Sequence, residues 1–285
     1  MTLHFRHICS LFLMLLLLLT AYGVERDTVQ VMSFNIRYGT AADGDNSWPL
    51  RRELLLQTIT DYAPDLLGVQ ECLAGQSEQL RADLPGYGFH GVGRDDGRLA
   101  GEMCAIFFDN ERFQLLDGGH FWLSETPEIV ASLSWDSALT RMASWVKFRF
   151  VEDGTVVFFF NTHFDHAGEE ARLQSGRLLA KMISSIAGDS QVIVTGDFNA
   201  PADSSTSGPY RELLTGGQLQ DSYRMLHLPG TQEGTYHGFR GDTSGERIDW
   251  ILVSNCWHII DAGIDHYQQA GRYPSDHFPV TALLR

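Results

Sequence analysis

Short apolar runs that each close on a polar side chain recur along this 285-residue sequence. Val192 to Thr195 is mostly β-branched and predicts a buried strand. Gly196 permits a sharp exit, and Asp197 and Asn199 follow at the strand's end. A period of two points both side chains the same way, toward a sheet rim, and Pro201 closes the element because proline cannot continue a ladder. Residues 28–36 predict a strand that delivers Asn35 near its end, and residues 65–71 one that delivers Glu71. A third, at 155–166, ends in His163, Asp165 and His166. Between the first two strands, Pro49 suits a first helical position and Leu54, Leu55, Thr58, Ile59 and Tyr62 supply a helix face that Pro64 stops. A second helical stretch, at 169–186, carries Leu173, Leu178, Leu179 and Met182 on one side and leads to Asp197. Strand, helix, strand therefore occurs twice. Asn35 and Glu71 lie 36 positions apart, His163 and Asp197 34. The pattern predicts two similar halves that pack as one domain and send polar residues to one rim.

The middle of the chain predicts strands at 103–108, 113–116, 119–123 and 144–150, with turns at 94–98 and 124–127. Trp135 and Trp145 read as packing residues. In the last third, residues 246–253 predict a strand with Asp249 near its start. His237 sits in a Gly-rich loop, and Asp276 and His277 come just before a terminal strand.

Composition narrows the class. With 44% hydrophobic residues and no low-complexity tract, the chain suits one large α/β or layered β domain. Residues 1–23 read as a signal peptide: Arg6, with His4 and His7, precedes an apolar run from Ile8 to Leu19, and Ala21-Tyr22-Gly23 offers small residues for cleavage. That run falls short of the roughly 20 residues of a membrane span. The expectation is an exported protein, periplasmic or secreted, with residues 24–285 as its domain. The formal net charge is −15, from 21 basic and 36 acidic residues, and removing the one arginine of the first 23 residues makes it −16. Such a surface argues against avid duplex DNA binding. It does not exclude phosphate esters, because bound divalent cations reverse the local sign. Outside the first 23 residues Cys72, Cys104 and Cys256 are scattered, with neither zinc spacing nor a disulfide framework.

The strand ends supply Asn35, Glu71, Asp197, Asn199, Asp249 and Asp276, with His163 and His277 and no thiolate. Hard oxygen donors favour Mg²⁺ or Mn²⁺. Metal, imidazole and carboxylate together suit in-line attack of water on a phosphorus ester. Asp165, His237, Arg37 and Arg141 are further candidates for substrate contact. A Ser-His-Asp hydrolase is conceivable from Ser275-Asp276-His277, but no Gly-x-Ser-x-Gly elbow accompanies them.

Phe34-Asn35, Gln70-Glu71, Asn161-Thr162-His163-Phe164-Asp165-His166, Gly196-Asp197-Phe198-Asn199, Arg247-Ile248-Asp249 and Ser275-Asp276-His277 occur in this order. The ordered set resembles the endonuclease/exonuclease/phosphatase superfamily, the DNase I-like proteins, over nearly the whole chain after residue 23. The resemblance implies a four-layer α/β/β/α sandwich: two facing mixed β-sheets, helices outside, the site at one rim. It also implies roles. Glu71 looks like the principal metal carboxylate, helped by Asn35 and Asp276. His277 resembles the imidazole that takes or shares a proton near the scissile phosphate, and Asp249 its orienting carboxylate. Asp197 resembles the group that positions or deprotonates the water, Asn199 a phosphate-contacting amide, and His163 a transition-state stabiliser. Val194-Thr195-Gly196 and Glu246-Arg247-Ile248-Asp249 depart from the Trp-x-Gly and Cys-Asp-Arg pattern of the inositol phosphatase branch.

The implied function is an exported Mg²⁺- or Mn²⁺-dependent phosphoesterase, a phosphodiesterase first. Its substrate would be a small phosphodiester, a nucleotide, a nucleic acid or a lipid headgroup. One alternative is a sphingomyelinase-like headgroup hydrolase, for which residues 119–122 are the best candidate membrane hairpin. The other is a catalytically silent binding module, which would require a broken site, and no motif position is replaced here.

Overall fold

Two six-stranded mixed sheets lie face to face in the computed structural model, which describes residues 28–203 and 205–285. The segment read as a signal peptide lies outside the described residues. The first sheet runs in the order β11 (Ile259–Ile264), β12 (Val280–Leu284), β1 (Val29–Asn35), β2 (Leu66–Cys72), β4 (Met103–Asp109), β3 (Tyr87–His90). The second runs β5 (Phe113–Trp122), β6 (Met142–Phe150), β7 (Val156–His163), β8 (Gln191–Asp197), β10 (Asp249–Ser254), β9 (Leu219–Asp221).

β1 and β2 pair in parallel, with α1 (Trp48–Tyr62) in the connection between them, and β7 and β8 pair in parallel around α3 (Glu169–Ala187). A parallel pair requires such a crossover. These two units are the repeated strand, helix, strand of the sequence. Their registers set the rim: Asn35 stands opposite Gln70, and His163 opposite Asp197. The antiparallel partners bring other residues to the same end, since Asp249 pairs with Asp197. β12 lies between β11 and β1, with Val29 opposite Leu284.

Alternation along each strand fills three layers. Val31, Leu66, Ile106, Phe148, Phe159, Ile193, Ile251 and Val280 are buried between the sheets. Their neighbours face outward: Met32, Phe34, Leu67 and Phe107 meet Leu55 and Ile59 of α1, and Phe158, Phe160, Val194 and Leu252 meet Leu179 and Ile183 of α3. Both faces of the central strands are covered, which is why they read as unbroken apolar runs.

Below the rim a polar cluster interrupts the inter-sheet core. The Asn161 amide donates to the carbonyls of Val69 (2.9 Å) and Ala105 (2.8 Å) in the opposite sheet, and its oxygen accepts from Gln70 (2.6 Å) and Thr195 (3.1 Å). Gly68 makes room for it, since a Cβ there would stand 2.0 Å from Thr195 Oγ1.

Several elements differ from the sequence expectation, β9, β11 and the short helices Gly208–Leu214 and Ser222–Leu226 being unpredicted, and three more have a readable cause. Residues 113–116 and 119–123 form one strand, β5, with a register shift between Leu115 and Asp117; the bulge breaks the period of two. α2 (Ala74–Asp83) escaped notice because only Gln76, Ser77 and Leu80 are buried, too few for an apolar stripe. β3 is four half-buried residues at a sheet edge. Phe121 and Trp122 are buried, so residues 119–122 are no exposed hairpin and the membrane-surface reading loses its structural feature. Among the described residues no helix is long and apolar enough to cross a membrane.

Candidate active site

β1, β2, β7 and β8 all end at one rim, where β10 begins and the loop before β12 arrives. Three non-glycine residues there, Arg37, Glu71 and Asn199, have left-handed backbones with φ of 55°, 60° and 48°. Each costs about 1–2 kcal/mol in isolation, so the surrounding hydrogen bonds must enforce the turns.

The centre is a chain of buried polar groups. Asp249 Oδ2 lies 2.9 Å from His277 Nδ1, which therefore carries the proton and leaves Nε2 facing Asp197 Oδ2 at 3.8 Å. Burial opposes charge on His277, but Asp249 and Asp197 outweigh it and hold the imidazole well above its usual pKa. Burial, reinforced by Asp249, pushes the Asp197 carboxyl up to about 7. Asp197 Oδ2 also meets His163 Nε2 at 3.4 Å and accepts from Asn35 Nδ2 at 2.9 Å. Asp197 Oδ1 accepts the Asn199 amide at 3.0 Å, so the Asp-x-Asn stretch is a turn as well as a site element.

Asn199 Nδ2 donates to Phe164 O (3.0 Å), which fixes the orientation of its amide, and meets His163 Nε2 at 3.1 Å. His163 thus accepts at Nε2 and carries its proton on Nδ1, 3.9 Å from Glu102 Oε2. Burial, with Arg141 and Arg94 nearby, keeps this imidazole neutral, well below its usual pKa.

Glu71 and Asp276 occupy the other wall. Asn35 Nδ2 donates to Glu71 Oε1 at 3.1 Å, and the Tyr38 amide to Oε2 at 3.0 Å. Asn35 Oδ1 is engaged by the Arg37 amide at 3.0 Å. Asn35 therefore orders Glu71 and Asp197 through its amide nitrogen, while its oxygen keeps a second lone pair. Burial raises Asp276 above the usual carboxylate range, and Glu71 adds to the effect. Two carboxylates on one wall of a rim fit a hard divalent cation. The tightest ligand-like group, Asp197, Asp249 and His277 with atoms within 4.8 Å, is already spent on the hydrogen bond between Asp249 and His277.

A cavity of about 420 Å³ brings Glu71, His163, Asp197, Asn199, Asp276 and His277 together, with Arg37, Arg141 and His166 on its walls and Leu139 and Tyr236 at its edge. Arg37 is closed bidentately by Asp43 at 3.0 Å and stands 3.7 Å from Asp276. Four sequence candidates do not line it. Asn35 and Asp249 stand behind the lining, hydrogen-bonded to Glu71, Asp197 and His277. The other two are spent elsewhere. Asp165 is buried and accepts the amides of Ala167, Gly168 and Leu139 together with Arg141 Nε at 3.4 Å, so it shapes the loop. His237 is stacked on Phe278 with ring centroids 3.9 Å apart and accepts the Gly241 amide, so it packs beneath His277. Substrate contact is therefore withdrawn for both.

Glu102 and Arg51 were not foreseen. Glu102 lines the cavity in a bidentate pair with Arg94, both contacts 2.9 Å. It immediately precedes β4, which is antiparallel to β2 and so begins where β2 ends. The strand-start logic that finds Asp249 finds it too. Buried Arg51 donates to the carbonyls of Ile36 (2.7 Å), Arg37 (2.8 Å), Asn46 (2.9 Å) and Pro274 (2.9 Å), tying the loop after Asn35 to the loop before Asp276. Nothing in its helix pattern marks it.

A family model described as endonuclease/exonuclease/phosphatase matches residues 32–277, from β1 through His277. An endonuclease/exonuclease/phosphatase from Bacteroides vulgatus superimposes with a TM-score of 0.84 at 36% identity, covering 91% of this chain and 99% of that one. A mannosyl-6-phosphatase of Bacteroides thetaiotaomicron VPI-5482 superimposes with a TM-score of 0.82 at 34% identity, covering 90% and 99%. Among curated proteins, nocturnin of Xenopus laevis is 26% identical over 292 residues, 89% of this chain and 71% of nocturnin. The chain spans 37% of the length of another relative, the uncharacterized protein R895 of Acanthamoeba polyphaga mimivirus. Since the matched span runs through both sheets and every strand end that builds the rim, the chain belongs to the endonuclease/exonuclease/phosphatase family.

Proposed function

We propose that this protein is a Mg²⁺- or Mn²⁺-dependent phosphoric ester hydrolase that cleaves a P–O bond by in-line attack of water. The observation that carries the reading is the placement of buried Asp197, whose Oδ2 lies 3.4 Å from His163 Nε2 and 3.8 Å from His277 Nε2. Burial pushes its carboxyl up to about 7, between an imidazole raised above its usual pKa, His277, and one lowered below it, His163. A base working near neutral pH and a fixed cation are what water attack on a phosphate requires.

The water oxygen bonds to phosphorus as Asp197 Oδ2 takes its proton; the P–O bond on the opposite side breaks, and the departing oxygen takes a proton from solvent. His277, kept cationic and aimed by Asp249, offers Nε2–H to an oxygen on phosphorus as negative charge grows there. Asn199 and His163 reach the equatorial oxygens once the bond between them opens, which frees one Asn199 Nδ2–H. His163 becomes a donor on gaining a proton, a change that the incoming negative charge favours. Glu71 and Asp276, with Asn35 ordering Glu71, would hold the cation, which when bound neutralises the phosphate oxygens and polarises the phosphorus. The apolar run ahead of residue 24 supports export.

The sequence reading favours a diester. A second reading, monoester hydrolysis, draws support from the likeness to a mannosyl-6-phosphatase at 34% identity. Release of p-nitrophenol from bis-p-nitrophenyl phosphate and from p-nitrophenyl phosphate, with Mg²⁺, Mn²⁺ or EDTA, tests the proposal. Metal-dependent release from either, lost in Glu71→Ala, is expected; release that EDTA leaves unchanged would refute it.

A further inference from the structure

Arg141 lines the cavity, and the mechanism above does not use it. Its guanidinium is buried, 4% exposed, yet only partly engaged. Nε faces Asp165 Oδ2 at 3.4 Å and Nη2 donates to His166 Nδ1 at 3.0 Å, while buried Nη1 has no hydrogen-bond partner among the described residues. A buried guanidinium N–H left without an acceptor costs stability unless a ligand supplies one. Because a guanidinium can only donate, His166 accepts at Nδ1 and its ring proton sits on Nε2, where it can be donated. Both residues line the 420 Å³ cavity.

Resting on the phosphoesterase reading, the geometry points to this pair as the subsite for a terminal, unesterified phosphate oxygen, which makes the preferred substrate a phosphomonoester. A monoester dianion presents three bare oxygens and a diester monoanion two. The cavity already holds four carboxyl side chains, Glu71, Glu102, Asp197 and Asp276, so the second negative charge of a monoester needs a fixed cation of its own. Arg37 is poorly suited, being closed by Asp43. Arg141 has an unspent donor, and its bond to His166 adds a second donor beside it. An oxygen that carries a carbon substituent accepts these bonds poorly and leaves the buried N–H unpaired. A site built to hydrogen-bond one group discriminates strongly against an analogue that lacks it.

The test uses the Mg²⁺-loaded chain, with p-nitrophenyl phosphate and bis-p-nitrophenyl phosphate as substrates and inorganic phosphate as a calorimetric probe. Arg141→Lys keeps a charge opposite Asp165, and His166→Ala alters an exposed side chain, so folding is guarded in both; melting curves verify it. The wild type is expected to favour the monoester. In each variant kcat/KM for the monoester should fall about 10- to 100-fold more than for the diester, the size of one charge-assisted hydrogen bond. Phosphate affinity should fall in parallel. A wild-type preference for the diester, equal losses on both esters, or unchanged phosphate binding would overturn the inference while leaving the phosphoesterase reading intact. Turnover of neither ester by the wild type would remove both.

Discussion

Asp249 Oδ2 and His277 Nδ1 are 2.9 Å apart, and both residues are buried. One sits at the first position of β10 and the other three residues before β12, so the bond joins strands of opposite sheets across the rim. Asp249→Asn keeps the shape and removes the charge that holds His277 cationic. Turnover should fall by about 100-fold or more, the usual worth of a positioned acid or base, with near-native circular dichroism. An unchanged rate would show that His277 needs no ionised partner.

Asp197 links activity to stability. Its carboxyl is shifted up from 3.8 to about 7 in the folded chain, so folding prefers the protonated form. That contribution is complete below 3.8, declines as pH rises, and is gone above about pH 7. Asp197→Asn carries no charge to ionise. In EDTA its melting temperature should gain on the wild type progressively from pH 4 to pH 7 and keep the gain at pH 8, while turnover is lost. A constant offset at every pH would mean that Asp197 is not shifted.

Glu71 and Asp276 should report the cation without any turnover. At a hundredfold excess over its dissociation constant, a bound ion stabilises by about 2.7 kcal/mol, several degrees of melting temperature for a chain of this size. Mg²⁺ or Mn²⁺ should give that shift in the wild type and not in Glu71→Ala or Asp276→Asn. Equal shifts in all three would assign the cation elsewhere.

Asn161 should matter to folding more than its place in a recognisable motif suggests. Asn161→Leu leaves two carbonyls, Gln70 and Thr195 without their partner in a buried setting, and a loss of about 3 kcal/mol or more is expected in urea unfolding. Gly68→Ala, forced against Thr195 Oγ1, should cost about 1–3 kcal/mol. Neutral behaviour in both would show that the cluster is dispensable.

These side chains also mark how far the sequence is legible. Apolar runs that stop at a polar residue predict where β1, β2, β7 and β8 end, and a strand's end has one geometry, so Asn35, Glu71, His163 and Asp197 converge as expected. The pattern weakens where local rules compete with packing. The bulge in β5 erases its alternation, and α2 is too polar to show a face. Arg51 is an ordinary helical arginine until the fold turns it onto four carbonyls. Asp165 and His237 carry reactive side chains that the surrounding loops consume. Sequence reveals the elements that point at the rim, but which of their donors remain unspent is decided by neighbours distant in the chain.

The pairing of β12 with β1 bears on when the site comes into being. Val29 and Leu284 are partners, so the sheet that begins first along the described chain cannot close until its C-terminal strand has been synthesised. Glu71 and Asp197 emerge long before His277. A nascent chain of intermediate length has acids without the imidazole that completes them, and one edge of β1 stays unpaired. Hydrolysis should therefore switch on in one step, when β12 docks against β1.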